Sequence, residues 1–355
     1  MTTIPTEPVG SLPRPRKLQE AVVAYREGSL SSEKLNKLFD QVVKDTIQRF
    51  EATGSPVISD GEQTKTSFVT YPLDGLKNLA SDGISIPFED GHDRQLPRLT
   101  DGPFQYSTYA GSYLPRAKKF TTRPLKQAVI SASAMSLLYP QEGIPNYPQK
   151  QFIDDLIKQS VKDIRSCFEN GAYHVQVDFT EARLAIKLDP SKKLLKQFIN
   201  LNNQVLSHFS EKERQRIGFH TCPGGDHDST HSADVDYAEL IPLFLTLNAG
   251  NFYMQMASEE HPEKSLEIIG ENIRSNQTVY VGVIDVINED VESPEEVRDR
   301  VLTAAEYIPI QQLGTTDDCG FSPFGDDIAT SRDTAFAKIT ARVEGTKMAE
   351  DKLGK

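Results

Sequence analysis

The chain has 355 residues, a mass of 39.6 kDa, a formal net charge of −12 and a pI near 5.2. This acidic balance argues against a nucleic-acid partner and against an anionic membrane surface, because both require a basic face. The N-terminus lacks a basic segment followed by an apolar run, and no stretch is long enough to span a bilayer. We therefore expect a cytoplasmic protein that acts on small molecules.

Short β-branched runs alternate with longer helical patterns along the whole chain. The predicted strands are residues 3–9, 56–62, 127–133, 174–178, 216–219, 251–258, 278–285 and 312–320. The predicted helices include residues 17–26, 33–53, 151–170, 191–209 and 331–347. Between the second and third strands, residues 66–123 are rich in Gly, Pro and Tyr, and we interpret them as an insertion containing a small hairpin across the barrel mouth.

Eight strand-helix units without a flexible linker predict a single α/β domain over residues 1–355, a (β/α)8 TIM barrel. A doubly wound sheet is the alternative. The barrel is favoured because polar residues fall at the carboxyl ends of the strands, where barrel enzymes assemble their active sites.

The three cysteines are too few and too scattered for a disulfide framework. Cys167 lies inside a predicted helix without other candidate metal-binding residues beside it, so we interpret it as a packing residue. His220 and Cys222 instead stand one residue apart at the mouth of the fifth strand, and imidazole and thiolate can both bind zinc. Cys319 ends the eighth strand on the same rim and is the third candidate ligand, with a small buried hydrophobic residue as the alternative.

His227 and His231 follow in a loop with several Asp, Ser and Thr residues. They could supply a further metal ligand. A solvated loop that caps the next helix is the interpretation we favour, because these residue types are common N-caps.

Several short motifs together resemble the catalytic domain of cobalamin-independent methionine synthase, along nearly the whole chain. They are Gly10-Ser11 followed by Pro-Arg, Asp60-Gly61-Glu62, the strand ending in Asp178, His220-Thr221-Cys222 and Asp318-Cys319-Gly320. The resemblance implies a barrel of the methionine synthase and uroporphyrinogen decarboxylase type. It also implies a zinc ion that binds homocysteine as its thiolate, and a methyl group supplied by a methyltetrahydrofolate polyglutamate.

Carried over residue by residue, the resemblance implies site roles for two sets of residues. His220, Cys222 and Cys319 would bind zinc. The amino-acid end of a thiol substrate would be held by Val9, Gly10, Ser11, Glu62 and Asp178. This is chemically sensible, because carboxylates suit an ammonium group and exposed backbone N–H groups suit a carboxylate.

The chain departs from the family pattern at three places. Gln255 stands in the sixth strand where the family has a zinc-ligating Glu, and we place it in the substrate site. Ile287 falls where the family has a catalytic His. Residues 179–182 read Phe-Thr-Glu-Ala where the family continues Glu-Pro-Ala-Leu.

A proton donor is needed for either folate methyl transfer or epoxide opening. The candidates in this chain are Asp285, Glu181 and Asp317. Arg14 and Arg183 are candidates for holding an anionic tail, although Arg183 could equally pair with Glu181.

The sequence thus predicts a zinc-dependent thiol alkyltransferase that uses a small thiol and an alkyl donor. Methyl transfer to homocysteine is the first expectation. One alternative is addition of a zinc-bound thiolate to an epoxide, as in the related coenzyme M transferases. A barrel that binds zinc and a thiol without catalysis is the other.

Overall fold

The computed structural model describes residues 3–354. The α-helices are α1 (Arg16–Arg26), α2 (Ser32–Ala52), α3 (Leu114–Ala117), α4 (Ala132–Ser136), α5 (Gln149–Glu169), α6 (Glu181–Leu188), α7 (Lys193–Leu206), α8 (Glu211–Arg214), α9 (Ile241–Phe244), α10 (Pro262–Asn272), α11 (Pro294–Tyr307) and α12 (Arg332–Leu353). The strands are β1 (Leu79–Ala80), β2 (Ser85–Pro87), β3 (Asp93–Gln95), β4 (Arg98–Leu99), β5 (Lys126–Ile130), β6 (His174–Asp178), β7 (Ile217–Thr221), β8 (Gly225–Asp226), β9 (Ser229–Thr230), β10 (Asn251–Met254), β11 (Thr278–Gly282) and β12 (Leu313–Thr316).

Six of these strands form one parallel sheet in the order β12-β11-β10-β7-β6-β5. Their residues are almost all buried, as expected for parallel strands covered by helices on the outside. The register sets Asp178 of β6 beside His220 of β7. Two predicted site residues are therefore neighbours at the carboxyl edge of the sheet.

The first two predicted strands lie between the two edges of this sheet and close the barrel, and each pairs through a single β-bridge rather than a ladder. Thr6 pairs with Thr315 of β12, and Ile58 pairs with Leu125 just before β5. The two segments meet each other where the Leu12 amide donates to the Gly61 carbonyl at 3.0 Å. The prediction of full strands here was wrong. In the first run Pro5 and Pro8 have no N–H to donate, and in the second run the chain turns at Gly61 and Glu62, which both have positive φ.

The predicted long helices are confirmed with small shifts at their ends. α2 begins after Ser31, whose side chain accepts a hydrogen bond from the Lys34 amide, and its apolar side packs Ile47 and Phe50 into the core. The C-terminal helix α12 continues six residues beyond its predicted end at 347. No helix in the described part of the chain is long and apolar enough to cross a membrane.

Residues 66–123 contain the expected hairpin. β2 pairs with β3 in antiparallel register, and the flanking strands β1 and β4 also pair antiparallel. The hairpin reaches the loop after β7, where the Glu89 amide donates to the Thr230 carbonyl at 2.9 Å. It therefore covers part of the mouth on the side of the His220-Thr221-Cys222 motif. That this segment is an insertion stays a prediction.

Candidate active site

Three side chains that could bind a metal meet at the end of β7. The ligand atoms of His220, Cys222 and Cys319 all lie within 4.8 Å of one another, and all three residues are buried. The sulfur atoms of the two cysteines are 3.0 Å apart. The structure thus brings together the three ligands predicted from the sequence.

The orientation of the His220 ring leaves one nitrogen available. Nδ1 lies 3.2 Å from the carbonyl oxygen of Tyr253, which can only accept, so Nδ1 carries the proton. Nε2 is buried and has no hydrogen-bond partner among the described residues. A carbonyl that fixes the tautomer in this way is the usual support of a metal-binding histidine.

The two thiols influence each other strongly. The hydrogen bond from Cys222 lowers the pKa of Cys319, against burial, and His220 lowers it further. The same hydrogen bond, together with burial, raises the pKa of Cys222. One of the two sulfur atoms is therefore readily held as a thiolate, which is the form that binds zinc.

These donors fit a catalytic zinc site. Zinc accepts nitrogen and sulfur ligands in a tetrahedron, and catalytic sites use three protein ligands and leave one position open. A free imidazole nitrogen and two neighbouring sulfurs supply those three ligands.

A small pocket opens directly beside the metal ligands, and we call it the thiol pocket. Its lining includes four of the predicted substrate-binding residues together with His220 and Cys319: Val9, Ser11, Glu62 and Asp178. The prediction that these residues share one site with the metal ligands is consistent with this geometry. Gln176, Phe68, Thr180, Gly224 and Gly225 also line the pocket.

Glu62 is held in an unusual backbone conformation, with φ at 55°. Its Oε1 accepts from the Lys65 ammonium group at 2.9 Å, in a pair that is almost fully buried. Oε2 is buried without a hydrogen-bond partner among residues 3–354. A non-glycine residue at positive φ is costly and is often found at functional sites. Here it presents an unpaired carboxylate oxygen beside the pocket.

Asp178 is the second carboxylate of the thiol pocket. Its Oδ1 accepts from Nε2 of Gln176 at 2.7 Å. Burial raises its pKa to about 6. Gln176 was not predicted as a site residue, although a polar residue inside a buried parallel strand is a signal in the sequence that could have identified it.

Gly10 and Arg14 lie outside the lining of the thiol pocket. Gly10 has φ at 138°, and its carbonyl accepts from the Ser59 hydroxyl at 2.7 Å. The Arg14 guanidinium donates to four backbone carbonyls, those of Glu62, Lys65, Ser322 and Phe324. Arg14 therefore ties the loop that carries Glu62 to the segment after Cys319.

Gln255 is buried just after β10. Its Nε2 donates to the Ser258 hydroxyl at 2.8 Å and to Glu259 at 2.9 Å. The loop that carries it is fixed by Asp318, whose carboxylate accepts from the amides of Met256, Ala257 and Ser258. Asp318 was assigned no role of its own in the sequence motif, and the structure shows that it joins the Gln255 loop to the Cys319 loop.

A second, larger cavity adjoins the thiol pocket. This cleft has a volume of about 670 Å³ and extends from Gly224 and Gly225 to α1, α2 and the β2-β3 hairpin. Phe68, Thr180, Gly224 and Gly225 line both cavities. We call it the outer cleft.

Among the candidate proton donors, Glu181 lines the outer cleft. Its Oε1 accepts from the hydroxyls of Ser131 at 2.6 Å and Ser133 at 2.5 Å, while the buried Oε2 has no hydrogen-bond partner among residues 3–354. Burial raises the pKa of Glu181 to about 7, although both serine hydrogen bonds lower it. A carboxyl group with this pKa can donate a proton near neutral pH.

Asp285 and Asp317 are placed differently from Glu181. Asp285 accepts through Oδ1 from the amide of Ile287 at 3.0 Å, within its own loop. Asp317 is buried in an ion pair with Arg342 at 2.5 Å. Neither residue belongs to the lining of the thiol pocket or of the outer cleft.

The loop after Cys222 is less solvated than we expected from its composition. His231 is buried, because Phe88 of the hairpin packs edge-on against its ring at 5.4 Å. His227 remains partly exposed beside Arg94. Arg183, in α6, pairs with Glu259 at 2.6 Å rather than with Glu181. The burial of His231 depends on the hairpin, which no local pattern near residue 231 reveals.

Comparison with known proteins connects this geometry to one family. The chain is 23% identical over 350 residues to a methionine synthase of Saccharolobus solfataricus, covering 99% of this chain and 96% of that protein. It is 22% identical over 351 residues to a methionine synthase of Sulfurisphaera tokodaii, covering 99% and 94%.

The fold also matches a solved structure. A B12-independent methionine synthase from Shewanella sp. W3-18-1, in complex with selenomethionine, superposes with a TM-score of 0.78 at 20% identity, covering 99% of each chain. At this identity the match shows the fold, and it confirms the single barrel. A family model described as the catalytic domain of cobalamin-independent synthase matches residues 144–341, more than half of the chain. The chain therefore belongs to the cobalamin-independent synthase catalytic-domain family.

Proposed function

We propose that the protein is a zinc-dependent methyltransferase that transfers a methyl group to the thiol of a homocysteine-like amino acid. The observation that carries the proposal is the thiol pocket itself. Three nitrogen and sulfur ligands, His220, Cys222 and Cys319, meet at its edge, and two of them, His220 and Cys319, line the pocket together with the carboxylates of Glu62 and Asp178. The relatives named methionine synthase, which align over almost the whole chain, support the same reaction.

The nucleophile is prepared at the three ligands. His220, Cys222 and Cys319 would hold a zinc ion, which when bound lowers the pKa of a substrate thiol and presents it as a thiolate. The Tyr253 carbonyl keeps Nε2 of His220 deprotonated and pointing at the site.

The amino-acid end of the substrate is recognised beside the metal ligands. The unpaired Oε2 of Glu62 and the carboxylate of Asp178 offer two acceptors to an ammonium group. Lys65 binds the other oxygen of Glu62, so Oε2 is left free to accept a hydrogen bond. The Shewanella relative with bound selenomethionine shows that an amino acid with a methylated chalcogen is held by a barrel of this fold.

Glu181 supplies the proton in our proposal. As the bond from sulfur to the methyl carbon forms, the bond from that carbon to the donor breaks, and the leaving atom keeps the electron pair. That atom then takes the proton from Oε2 of Glu181, which lines the outer cleft. Glu181 thus fills the role of the histidine that the family resemblance placed at Ile287.

The test is a two-step assay on zinc-loaded protein. Adding homocysteine should release one proton per site, because the thiol is bound as a thiolate. Methylfolate, methylcobalamin or 1,2-epoxypropane is then offered, and consumption of the thiol is measured. Methionine formation with a methyl donor supports the proposal. Consumption with the epoxide alone would replace it with an epoxide-opening enzyme, and proton release without turnover on any donor would point to a thiol carrier.

A further inference from the structure

We propose that Lys126 and Gln176 are positioning residues, which hold the carboxylate of Asp178 in place for the ammonium group of the substrate. This rests on the proposed function, because it concerns recognition of the amino-acid end of the thiol in the same site. The two residues belong to a line of buried polar side chains inside the barrel, Glu7, Lys126, Gln176 and Asp178, which we call the polar column.

The polar column is unusual for its place in the fold. The interior of a (β/α)8 barrel is normally filled by layers of branched apolar side chains. Here Glu7, Lys126 and Gln176 occupy the interior, and each is at most 2% exposed. Burying charged groups costs desolvation, and well-packed apolar residues of similar volume are often as stable or more stable. Stability alone therefore does not account for the column.

The column ends at the proposed acceptor of the ammonium group. Gln176 and Asp178 stand two residues apart on β6, so both side chains lie on the same face of the strand, and both line the thiol pocket. Oδ1 of Asp178 accepts from Nε2 of Gln176 at 2.7 Å. This hydrogen bond fixes the rotation of the Asp178 carboxylate at the wall of the pocket.

The Lys126 ammonium group decides which way the Gln176 amide faces. Its Nζ donates to Oε1 of Gln176 at 2.8 Å. An ammonium group has donors only, so it must meet the amide oxygen, and the amide NH2 is then directed at Asp178. The reversed amide would set its NH2 against the ammonium group and its oxygen against the carboxylate, and both contacts are repulsive. Lys126 therefore keeps a donor aimed at Asp178.

Lys126 is itself held from two sides. The Glu7 carboxylate lies 3.9 Å from Nζ, and the centre of the Tyr253 ring lies 3.7 Å from Nζ. Glu7 in turn accepts from the Tyr253 hydroxyl at 2.7 Å and lies 2.8 Å from Nδ1 of His174. Burial lowers the pKa of Lys126 to about 8, although the Glu7 carboxylate opposes this shift. The ammonium form therefore predominates at pH 7, in a fixed place.

The experiment measures thiol binding and needs no alkyl donor. Homocysteine is compared with 4-mercaptobutyrate, which is the same molecule without the amino group. Both dissociation constants are measured by calorimetric titration of the zinc-loaded protein, and zinc content is measured by elemental analysis. The comparison isolates the ammonium group, because both thiols offer the same sulfur and carboxylate.

Two variants interrupt the column at different points. Gln176→Met removes the amide. The double substitution Lys126→Met with Glu7→Gln removes the ammonium group without leaving its buried partner charge unpaired. Thr315→Val is the matched control, because it removes a buried hydroxyl of β12 that lies 2.8 Å from the Thr346 hydroxyl and takes no part in the column.

We expect Gln176→Met and the double substitution each to raise the dissociation constant of homocysteine about tenfold or more. The dissociation constant of 4-mercaptobutyrate should change less than about threefold, with zinc content unchanged. The control should leave both constants as they are in the unmodified protein. A general distortion of the barrel would weaken both thiols alike, so the selective loss identifies a positioning role.

Unchanged affinity for homocysteine in the Gln176→Met protein overturns the inference, and so does an equal loss of affinity for both thiols. Gln176→Met introduces no charge, so it decides the matter if the double variant does not fold. An unmodified protein that binds both thiols equally would reject ammonium recognition and this inference with it. Selective binding of homocysteine without methyl transfer in the two-step assay would reject the proposed methyltransferase alone.

Discussion

The two cavities at the barrel mouth are built from different parts of the chain. The thiol pocket is lined by strand ends and the residues next to them, such as Asp178 after β6 and Cys319 after β12. The outer cleft is lined largely by α1, α2 and the β2-β3 hairpin, which lie outside the six-stranded sheet. The barrel thus fixes the nucleophile, while the side that meets the alkyl donor can change without altering the sheet.

Two of the three departures from the expected family pattern fit this division, whereas Gln255, at the position of a metal ligand in that pattern, does not. The cysteines that we propose as zinc ligands and the carboxylates of the thiol pocket are present in this chain. Ile287 and residues 179–182 differ from the family and lie in loops or at a helix start. Related enzymes could therefore share one thiol chemistry and use different donors.

The largest effect on activity should come from removing a proposed metal ligand beside the thiol pocket. Cys319→Ser removes one of three ligands, so we expect loss of most bound zinc and a fall in thiol alkylation of about 10³-fold or more. Elemental analysis and the alkylation rate check this. Cys167→Ala is the matched control, since Cys167 is equally buried but lies in α5 away from the site. Zinc retained at full stoichiometry in the serine variant would refute the ligand set.

The second-largest effect on activity should come from removing the proposed proton donor of the outer cleft, Glu181. Glu181→Gln keeps the shape of the side chain but cannot donate the proton, so methyl transfer from methylfolate, whose leaving nitrogen takes a proton, should fall about 10²- to 10⁴-fold. In the unmodified protein this rate should decline as the pH rises through about 7, because the acid form of Glu181 is lost. The variant should lose that decline.

Two controls make this prediction specific. Methyl methanesulfonate releases an anion that needs no proton, so the substitution should hardly change its rate. Asp285 is another candidate acid and lies outside both cavities, so the Asp285→Asn protein should keep the pH profile of the unmodified protein. A Glu181→Gln protein with the unchanged pH decline would exclude Glu181 as the acid.

The sequence predicted the thiol side far better than the donor side. The strand at 174–178 was placed at its observed bounds, and the candidate ligands His220 and Cys222 were predicted together, because strand periodicity and the spacing of these two residues are local signals. Cys319 was added because the predicted barrel topology placed its strand end on the same rim. The burial of His231 and the composition of the outer cleft depend on contacts with residues more than one hundred positions away. Local patterns carry no information on such contacts.

The first barrel strand shows a second limit. Its β-branched residues predicted a full strand at 3–9, but Pro5 and Pro8 cannot donate to a ladder, and one bridge at Thr6 remains. The chain still closes the barrel there. The topology was therefore predictable from the number of units, while the hydrogen bonding of this strand required the structure.

A smaller effect should distinguish recognition of the substrate's ammonium group from binding of its sulfur. Asp178→Asn removes a negative charge beside the ammonium group, so the KM for homocysteine should rise about 10- to 100-fold. The KM for 3-mercaptopropionate, which has no ammonium group, should change less than about threefold. Equal losses for both thiols would mean that Asp178 supports the metal site rather than the substrate. Zinc content, measured in parallel, distinguishes these outcomes.

The smallest predicted effect concerns the support of Glu181. The Ser133 hydroxyl donates to Oε1 of Glu181 at 2.5 Å and thereby lowers its pKa. Ser133→Ala removes this stabilisation of the carboxylate, so the pH at which methyl transfer from methylfolate declines should rise, by up to about one unit. At pH 7 more of the acid form is then present, and the rate should rise by no more than about twofold if the side chain keeps its position. Ser136→Ala is the matched control on α4, because the Ser136 hydroxyl donates to the Ser133 carbonyl and does not touch Glu181. A downward shift of the decline in the Ser133 variant would contradict the proposed arrangement, since it would mean that the hydroxyl stabilises the protonated form.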